Sequence, residues 1–328
     1  MNTTKTINVS KTDSHAFHTI AEALSSIPKD STTPVTISIG AGVYYEKLEI
    51  NRPFVTLQGI SPEQTILTYD DYARFLMPDG IKRGTFRSYT LFVNAPHTTL
   101  KNLTVQNTSG PSQKAGQAVA LYADGDFFFC ENCSLKSCQD TLFTAPLPEK
   151  EYEPGGFRGP KEFAPRTPTR QYYRDCYICG DIDFIFGGAA AYFEHCHIHS
   201  ILRDPDAAVQ GYVTAASTPP GQPYGYVFHA CELTSDCLTQ SVYLGRPWRD
   251  DAKTVFLECT YGVHIHPAGF HDWDKPAARE HAFYAEWQCR QEDGTPVSLQ
   301  ERAPFVRELS AADVLNYSVT KVLGGWNP

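Results

Sequence analysis

The chain predicts an all-β fold, a parallel β-solenoid in one domain spanning residues 1–328, and three observations predict it. A short pattern, a small or medium apolar residue followed two positions later by a larger one, is centred on Leu103, Cys133, Cys176, Cys196, Cys231 and Cys259. The intervals between centres are irregular but each is of the order of one solenoid coil. The stretches between them read as short strands punctuated by Gly and Pro. Stacked coils with variable loops would place equivalent side chains in internal ladders.

The elements follow in order. In SHAFHTIAEALSSIP (14–28), Phe17, Ile20, Leu24 and Ile27 fall on one helical face and Pro28 ends it, which predicts a short N-terminal helix capping the solenoid. VTISIG (35–40), FVTLQGI (54–60) and YTLFV (89–93) alternate or run apolar as strands. APLPEKEYEPGGFRGPKEFAPRTPT (145–169) is rich in Pro and Gly and reads as a long irregular loop, and VTAASTPPGQPYG (213–225) as a loop over a strand end.

Composition narrows the function classes. The 328 residues are 41% hydrophobic and 20% charged, an ordinary globular balance. A net charge of −9 without a basic run excludes a nucleic-acid footprint. No apolar run is long enough to span a membrane. MNTTKTINVSKTDSHAF lacks the apolar core of a leader, so the ten cysteines are expected as reduced thiols in the cytoplasm, unless a leader has been trimmed. A monomer is expected.

Two motifs suggest metal. Cys130-x-x-Cys133 and Cys176-x-x-Cys179 have zinc-knuckle spacing, and His195, His197 and His199 could share a strand face. Residues three apart on a strand face opposite sides, however, and the repeat accounts for Cys133 and Cys176 as small apolar ladder residues. Alternating polar positions on an outer solenoid face account equally for the histidines.

The chemistry concentrates elsewhere. GDIDFIFGG (180–188) runs Asp181 and Asp183 into Phe184, Ile185 and Phe186. Strand alternation puts both acids on the face of Ile185, and a buried carboxylate needs a partner. A turn acid beside a salt-bridged edge residue is the plain explanation. GQAVAL (116–121) contributes Gln117, SCQDTLF (137–143) contributes Gln139 and Asp140, and YLGRPW (243–248) contributes Arg246 and Trp248. Singly, each reads as a ladder, turn or corner residue. No Gly-x-Ser-x-Gly elbow occurs, which argues against a common serine hydrolase.

In this order, QAVAL, QDTLF, DFIFG and LGRPW resemble the pectin methylesterases, or pectinesterases, of bacterial type. The resemblance runs from AFHTIAEAL (16–24) through RQYYRDCYICGDIDFIFGG (170–188) to AFYAEW (282–287) and the terminal VLGGWNP. It implies a right-handed parallel β-helix with a shallow groove, and hydrolysis of the C6 methyl ester of galacturonosyl residues with release of methanol. The partner is then methylated galacturonan or an oligogalacturonide, with no metal and no cofactor. The matching positions give Asp183 as nucleophile, Asp140 as general acid/base, Gln117 and Gln139 as oxyanion donors, and Arg246 as the group orienting the nucleophile. Trp248, Phe186, Phe143 and Thr85 are expected to bind substrate.

Physical logic agrees. An Arg fork ionises and orients a carboxylate nucleophile, and two amides stabilise a developing oxyanion. A second carboxyl near the first has its pKa raised by like charge and apolar neighbours, which suits a proton donor to poorly leaving methoxide. Asp181 is then expected as a turn or rim residue. Departures from the family remain: Phe143 stands where Tyr is frequent, Asp181 where Thr is common, and Ala216-Ser217-Thr218 where many plant members have Gln-Gly-Arg. The 145–169 loop replaces a short turn and, leaving just after Asp140, is expected over or beside the groove. It favours short methylated oligogalacturonides, with Arg158, Lys161 or Arg166 as contacts to product carboxylates. An ester other than methyl, such as acetyl, a galacturonan-cleaving lyase or glycoside hydrolase, and an inactive carbohydrate-binding β-helix are the alternatives.

Overall fold

The computed structural model describes residues 5–28 and 30–328. Its strands form three sheets of 11, 9 and 7 strands, and every ladder between them is parallel. Successive coils contribute one strand to each sheet. Arg170–Arg174, Tyr177–Gly180 and Ile182–Gly187 make one coil, and Ala190–Glu194, His197–Ser200 and Gly211–Ala216 the next. The result is a right-handed parallel β-helix.

The recurring pattern proves to be a corner of this helix, not a strand. Each centre lies between a strand of the 11-stranded sheet and one of the 9-stranded sheet, and the residue before it has positive φ: Asn102 54°, Asn132 47°, Asp175 53°, His195 51°, Ala230 50° and Glu258 54°. Asn and Asp tolerate this left-handed conformation, while Ala230 and Glu258 bear a strain of about 1–2 kcal/mol that the packed corner must offset. A seventh corner, Gln288 before Cys289, was missed because its following residues, Arg290 and Gln291, are polar. Inside the corner, Cys133, Cys176, Cys196, Cys231, Cys259 and Cys289 are buried and stack from coil to coil.

An aromatic ladder runs beside them. Tyr173, Phe193, Phe228 and Phe256 are register partners whose rings stack 4.6, 4.5 and 4.6 Å apart. All ten cysteines are free, and the Cys176 thiol donates to the Cys130 sulfur at 3.8 Å, too far for a disulfide. A reducing agent is therefore expected to leave the thermal unfolding midpoint unchanged, as differential scanning calorimetry would show; a drop on reduction would reveal a covalent bridge.

The N-terminal helix is shorter than its periodicity predicts, spanning Ile20–Ser25. Thr19 and Glu22 form a capping box, and Glu46 accepts from the Ile20 and Ala21 amides at 3.0 and 2.8 Å, so negative charge sits at the helix start. Phe17 lies outside it, in a bridge to Val9, and Ile27 is buried beyond its end. At the other terminus, Val322 and Leu323 cover the outer face of the 11-stranded sheet over Phe129, Tyr172 and Tyr192. Among the described residues no helix is long and apolar enough to cross a membrane.

Candidate active site

The seven-stranded sheet carries two glutamines and two aspartates of the candidate set near the starts of its strands, and Arg246 just past the end of one. Gln117 precedes the strand Leu121–Ala123, Gln139 and Asp140 precede Leu142–Thr144, and Asp183 lies in Ile182–Gly187. Arg246 follows Val242–Gly245. Gln117 and Gln139 are bridge partners on adjacent coils, held by the Ala118 amide donating to the Gln139 carbonyl at 3.0 Å. They line one cleft of about 220 Å³ with Asp140, Asp183, Arg246, Phe186, Trp248 and Thr85.

Both acids have positive φ, 64° at Asp140 and 52° at Asp183. At Asp183 the pairing with Gly211–Ala216 slips between Ile182 and Ile185, a bulge that breaks strand alternation. Phe184 and Ile185 consequently both enter the core, while Phe186 joins the aromatic cluster outside. The expected shared face for Asp181, Asp183 and Ile185 is corrected accordingly: the bulge re-aims the Asp183 carboxylate towards the cleft.

Arg246 meets that carboxylate as a fork. Its Nε donates to Asp183 Oδ1 at 2.8 Å and its Nη2 to Oδ2 at 2.7 Å. The guanidinium is sandwiched between Tyr212 and Trp273, 3.9 and 3.7 Å from the ring centres, so its plane is fixed on both faces. Burial pushes the Asp183 carboxyl up, and the Arg246 charge and hydrogen bonds act against it. Asp140 has no such partner. Burial first, then the Asp183 charge, drives its pKa well above the ordinary carboxyl range. Of the two acids, Asp183 is the one with a cation forked onto it to favour its negative charge, and Asp140 is the one that both burial and a neighbouring carboxylate push towards keeping a proton.

Asp181 is not a rim residue. It is 2% exposed, accepts from the Ser112 hydroxyl and, at 2.6 Å, from the Ile182 amide. It thereby ties the strand leading to Asp183 to the segment before Gln117. Phe143 also departs from expectation. It is fully buried beneath the cleft, 4.9 Å from the Phe186 ring and 5.0 Å from Phe86, and supports the floor without offering a surface to a ligand. Phe86, Trp273, Ala215 and Gly156 line the cleft and were missed, since none of the four carries a side-chain group that marks it as chemical in the sequence.

Packing and hydrogen bonding account for most residues of the two metal-like motifs, and Cys179 is buried as well. Cys130, Cys133 and Cys176 are core residues, and His197 and His199 share the Thr234 hydroxyl at 2.5 and 2.8 Å while His195 faces Asp175. His271, Asp272 and Asp274 could bring ligand atoms together, but Asp272 is already engaged by Arg279 and by the Asp274 amide.

The 145–169 loop does reach the cleft, at Gly156. Two of its three expected contact residues are engaged by the protein itself, one within the loop and one with the neighbouring coil. Arg166 donates to the Pro148, Lys161, Ala164 and Glu162 carbonyls, and Lys161 pairs with Asp124 at 3.0 Å.

Against known proteins, the family model described as Pectinesterase matches residues 6–148 and 166–325. Pectinesterase 31 of Arabidopsis thaliana is 31% identical over 316 residues, covering 94% of this chain and 89% of that protein. Probable pectinesterase/pectinesterase inhibitor 23 of the same plant is 31% identical over 324 residues, 95% of this chain and 51% of its own length, so the chain spans about half of that relative. Among solved structures, a pectin methylesterase in complex with hexasaccharide VII aligns with a TM-score of 0.81 at 30% identity, covering 99% of both chains. Pectin methylesterase PemA from Erwinia chrysanthemi aligns with a TM-score of 0.79 at 30% identity, again over 99% of both.

Proposed function

Because this chain belongs to the pectinesterase family, we propose that it hydrolyses methyl esters of galacturonosyl residues and releases methanol. The observation that carries the reading is a pair of buried carboxyls lining one cleft in unlike surroundings, Asp183 held in a two-point fork by Arg246 and Asp140 beside it without that fork.

The chemistry follows from those surroundings. An Asp183 oxygen attacks the ester carbonyl carbon, and the electron pair moves onto the carbonyl oxygen. The Gln117 and Gln139 amides, which line the same cleft, then donate to that oxyanion. Collapse of the tetrahedral adduct breaks the bond to the methoxy oxygen, which takes the Asp140 proton and leaves as methanol. An Asp183–galacturonoyl anhydride remains. Asp140, now a carboxylate, takes a proton from water, whose oxygen attacks the galacturonoyl carbonyl. Asp183 leaves as a carboxylate and Asp140 is protonated again. Both amides act twice, once in each half of the reaction.

Methanol release from methyl-esterified galacturonides by the purified protein tests the reading. Equimolar methanol and acid are expected, with no new reducing ends and no unsaturated product, and the rate is expected to survive a chelator. New reducing ends or an absorbing double bond would turn the assignment to backbone cleavage, and acetate from acetylated pectin without methanol would turn it to another ester. The ten free thiols support placing the reaction in a reducing compartment.

A further inference from the structure

Residues 149–165 fall between the two stretches that the family model matches, and they touch the cleft through Gly156. They also cover something. On the outward face of the seven-stranded sheet, Phe92, Tyr122, Phe143 and Phe186 are register partners on adjoining strands. Successive ring centres are 4.7, 4.7 and 4.9 Å apart, so the row follows the helix axis. Such a row on an open sheet would be a platform for the C–H faces of consecutive sugar rings.

Here the row is sealed, with exposures of 2, 0, 0 and 4% from Phe92 to Phe186. Phe86 lies over Phe143, and Phe157 from the inserted residues closes edge-on against Phe86 at 5.9 Å and Trp248 at 6.1 Å. Tyr89, which meets Phe92 and Tyr122 at 5.5 and 6.2 Å, and Leu147 pack in the same cluster from outside the insertion, so Phe157 closes the cover from above Phe86. The Tyr122 hydroxyl, which an open groove would give to water or a sugar hydroxyl, is buried with no hydrogen-bond partner.

The cover is built in, not draped. Tyr152 Oη donates to the Trp248 carbonyl at 3.0 Å, and Arg249 Nη2 donates to the Lys150 carbonyl at 2.7 Å. The Arg249 guanidinium lies 3.8 Å over the Tyr152 ring. At Gly159 the backbone comes so close that an added Cβ would stand 2.7 Å from Phe86 Cβ. The cleft left open, about 220 Å³, is smaller than the roughly 300–1,000 Å³ of a drug-sized ligand's pocket.

We propose that the inserted segment, with Phe157 as its plug, ends the groove on the side of Phe143, Tyr122 and Phe92. The enzyme then acts on short methyl-esterified galacturonides and on the ends of longer ones, and the interior of polymeric pectin is excluded. The proposal rests on the pectinesterase reading and narrows its substrate class.

The experiment compares kcat/KM per methyl ester on esterified trimers to hexamers with that on polymeric pectin. It is run for the intact protein, for Phe157→Ala, and for a variant with 149–165 replaced by a short Gly-Ser turn, each first checked for cooperative thermal unfolding. The intact protein is expected to prefer the trimer over the polymer at least tenfold. The polymer-to-trimer ratio is expected to rise at least tenfold in the turn variant and severalfold in Phe157→Ala. A loss of packing alone would lower both rates and leave the ratio alone. Equal rates on trimer and polymer, or a ratio unchanged in both variants, overturns the proposal and leaves the esterase reading standing. Absence of methanol from every galacturonide overturns both.

Discussion

Asp183→Asn is expected to lower methanol release by roughly 10⁴-fold or more while leaving the circular dichroism unchanged. The amide is isosteric with the carboxylate, so the bulge and most of the packing survive, but the attacking oxygen has lost its charge. Asp140→Asn is expected to fall comparably for a different reason. It keeps the nucleophile and removes the proton that makes methoxide a tolerable leaving group. The two losses are separable with a galacturonate ester of a more acidic alcohol such as p-nitrophenol, whose departure needs no proton. On that substrate Asp140→Asn should show a burst of alcohol as the acyl-enzyme forms and then stall, since no base activates the water. Asp183→Asn should show no burst. The double variant is expected to be no slower than the worse single one, because residues acting as one unit are not additive. A burst from Asp183→Asn, or methanol release from it at near the unsubstituted rate, would move the nucleophile elsewhere, and near-unsubstituted release from Asp140→Asn would move the proton donor.

The wild-type pH profile follows from the same pair. Activity should fall on the acid side as Asp183 takes up a proton and on the alkaline side as Asp140 loses one, and these limbs belong to the coupled pair. The direction of each is set by causes visible in the fold: burial opposed by Arg246 at Asp183, and burial reinforced by the neighbouring carboxylate at Asp140.

Much of this site was legible in the residues because the fold repeats. Equivalent positions on adjacent coils land side by side, so Gln117 and Gln139, 22 residues apart in number, become bridge partners. The cysteines revealed the coil because each corner needs a small apolar side chain pointing inward next to a residue in the left-handed conformation. What was not legible depends on local geometry that alternation does not encode. The bulge at Asp183 redirects three side chains at once, which puts Ile185 in the core and its expected companion in the cleft. Phe143, read as a groove residue, is sealed by Phe86 and by an insertion whose own sequence, EKEYEPGGFRGPKEFAP, shows only turn chemistry. Trp273 and Tyr212 come from separate loop and strand positions, and nothing in their surroundings marks them as the two faces of one clamp.

That clamp is the basis of the second large effect. Arg246→Met keeps the length and apolar stem of the side chain and removes the fork. Asp183, with its side chain 10% exposed, is left without a cation, and breaking a buried pair from one side typically costs about 3–5 kcal/mol. The folded chain can escape most of that penalty by protonating Asp183, which disables the nucleophile. At neutral pH the rate should therefore fall by about 10³-fold or more, since each 1.36 kcal/mol of lost stabilisation is tenfold. The acid limb of the pH–rate profile should also move to higher pH, because the group that lowered the Asp183 pKa is gone. Stability carries a matching sign. A carboxyl whose pKa is raised in the folded chain relative to the unfolded one favours folding below its unfolded pKa, and that advantage is lost as pH rises through the folded value. The gap in unfolding midpoint between wild type and Arg246→Met should hence be small in acid and widen towards neutral pH. Arg246→Lys restores the charge without the two-point fork and should recover the position of the acid limb more fully than the rate. An acid limb that stays in place in Arg246→Met, with a midpoint gap independent of pH, would show that the guanidinium holds the shape of the cleft and not the charge of Asp183.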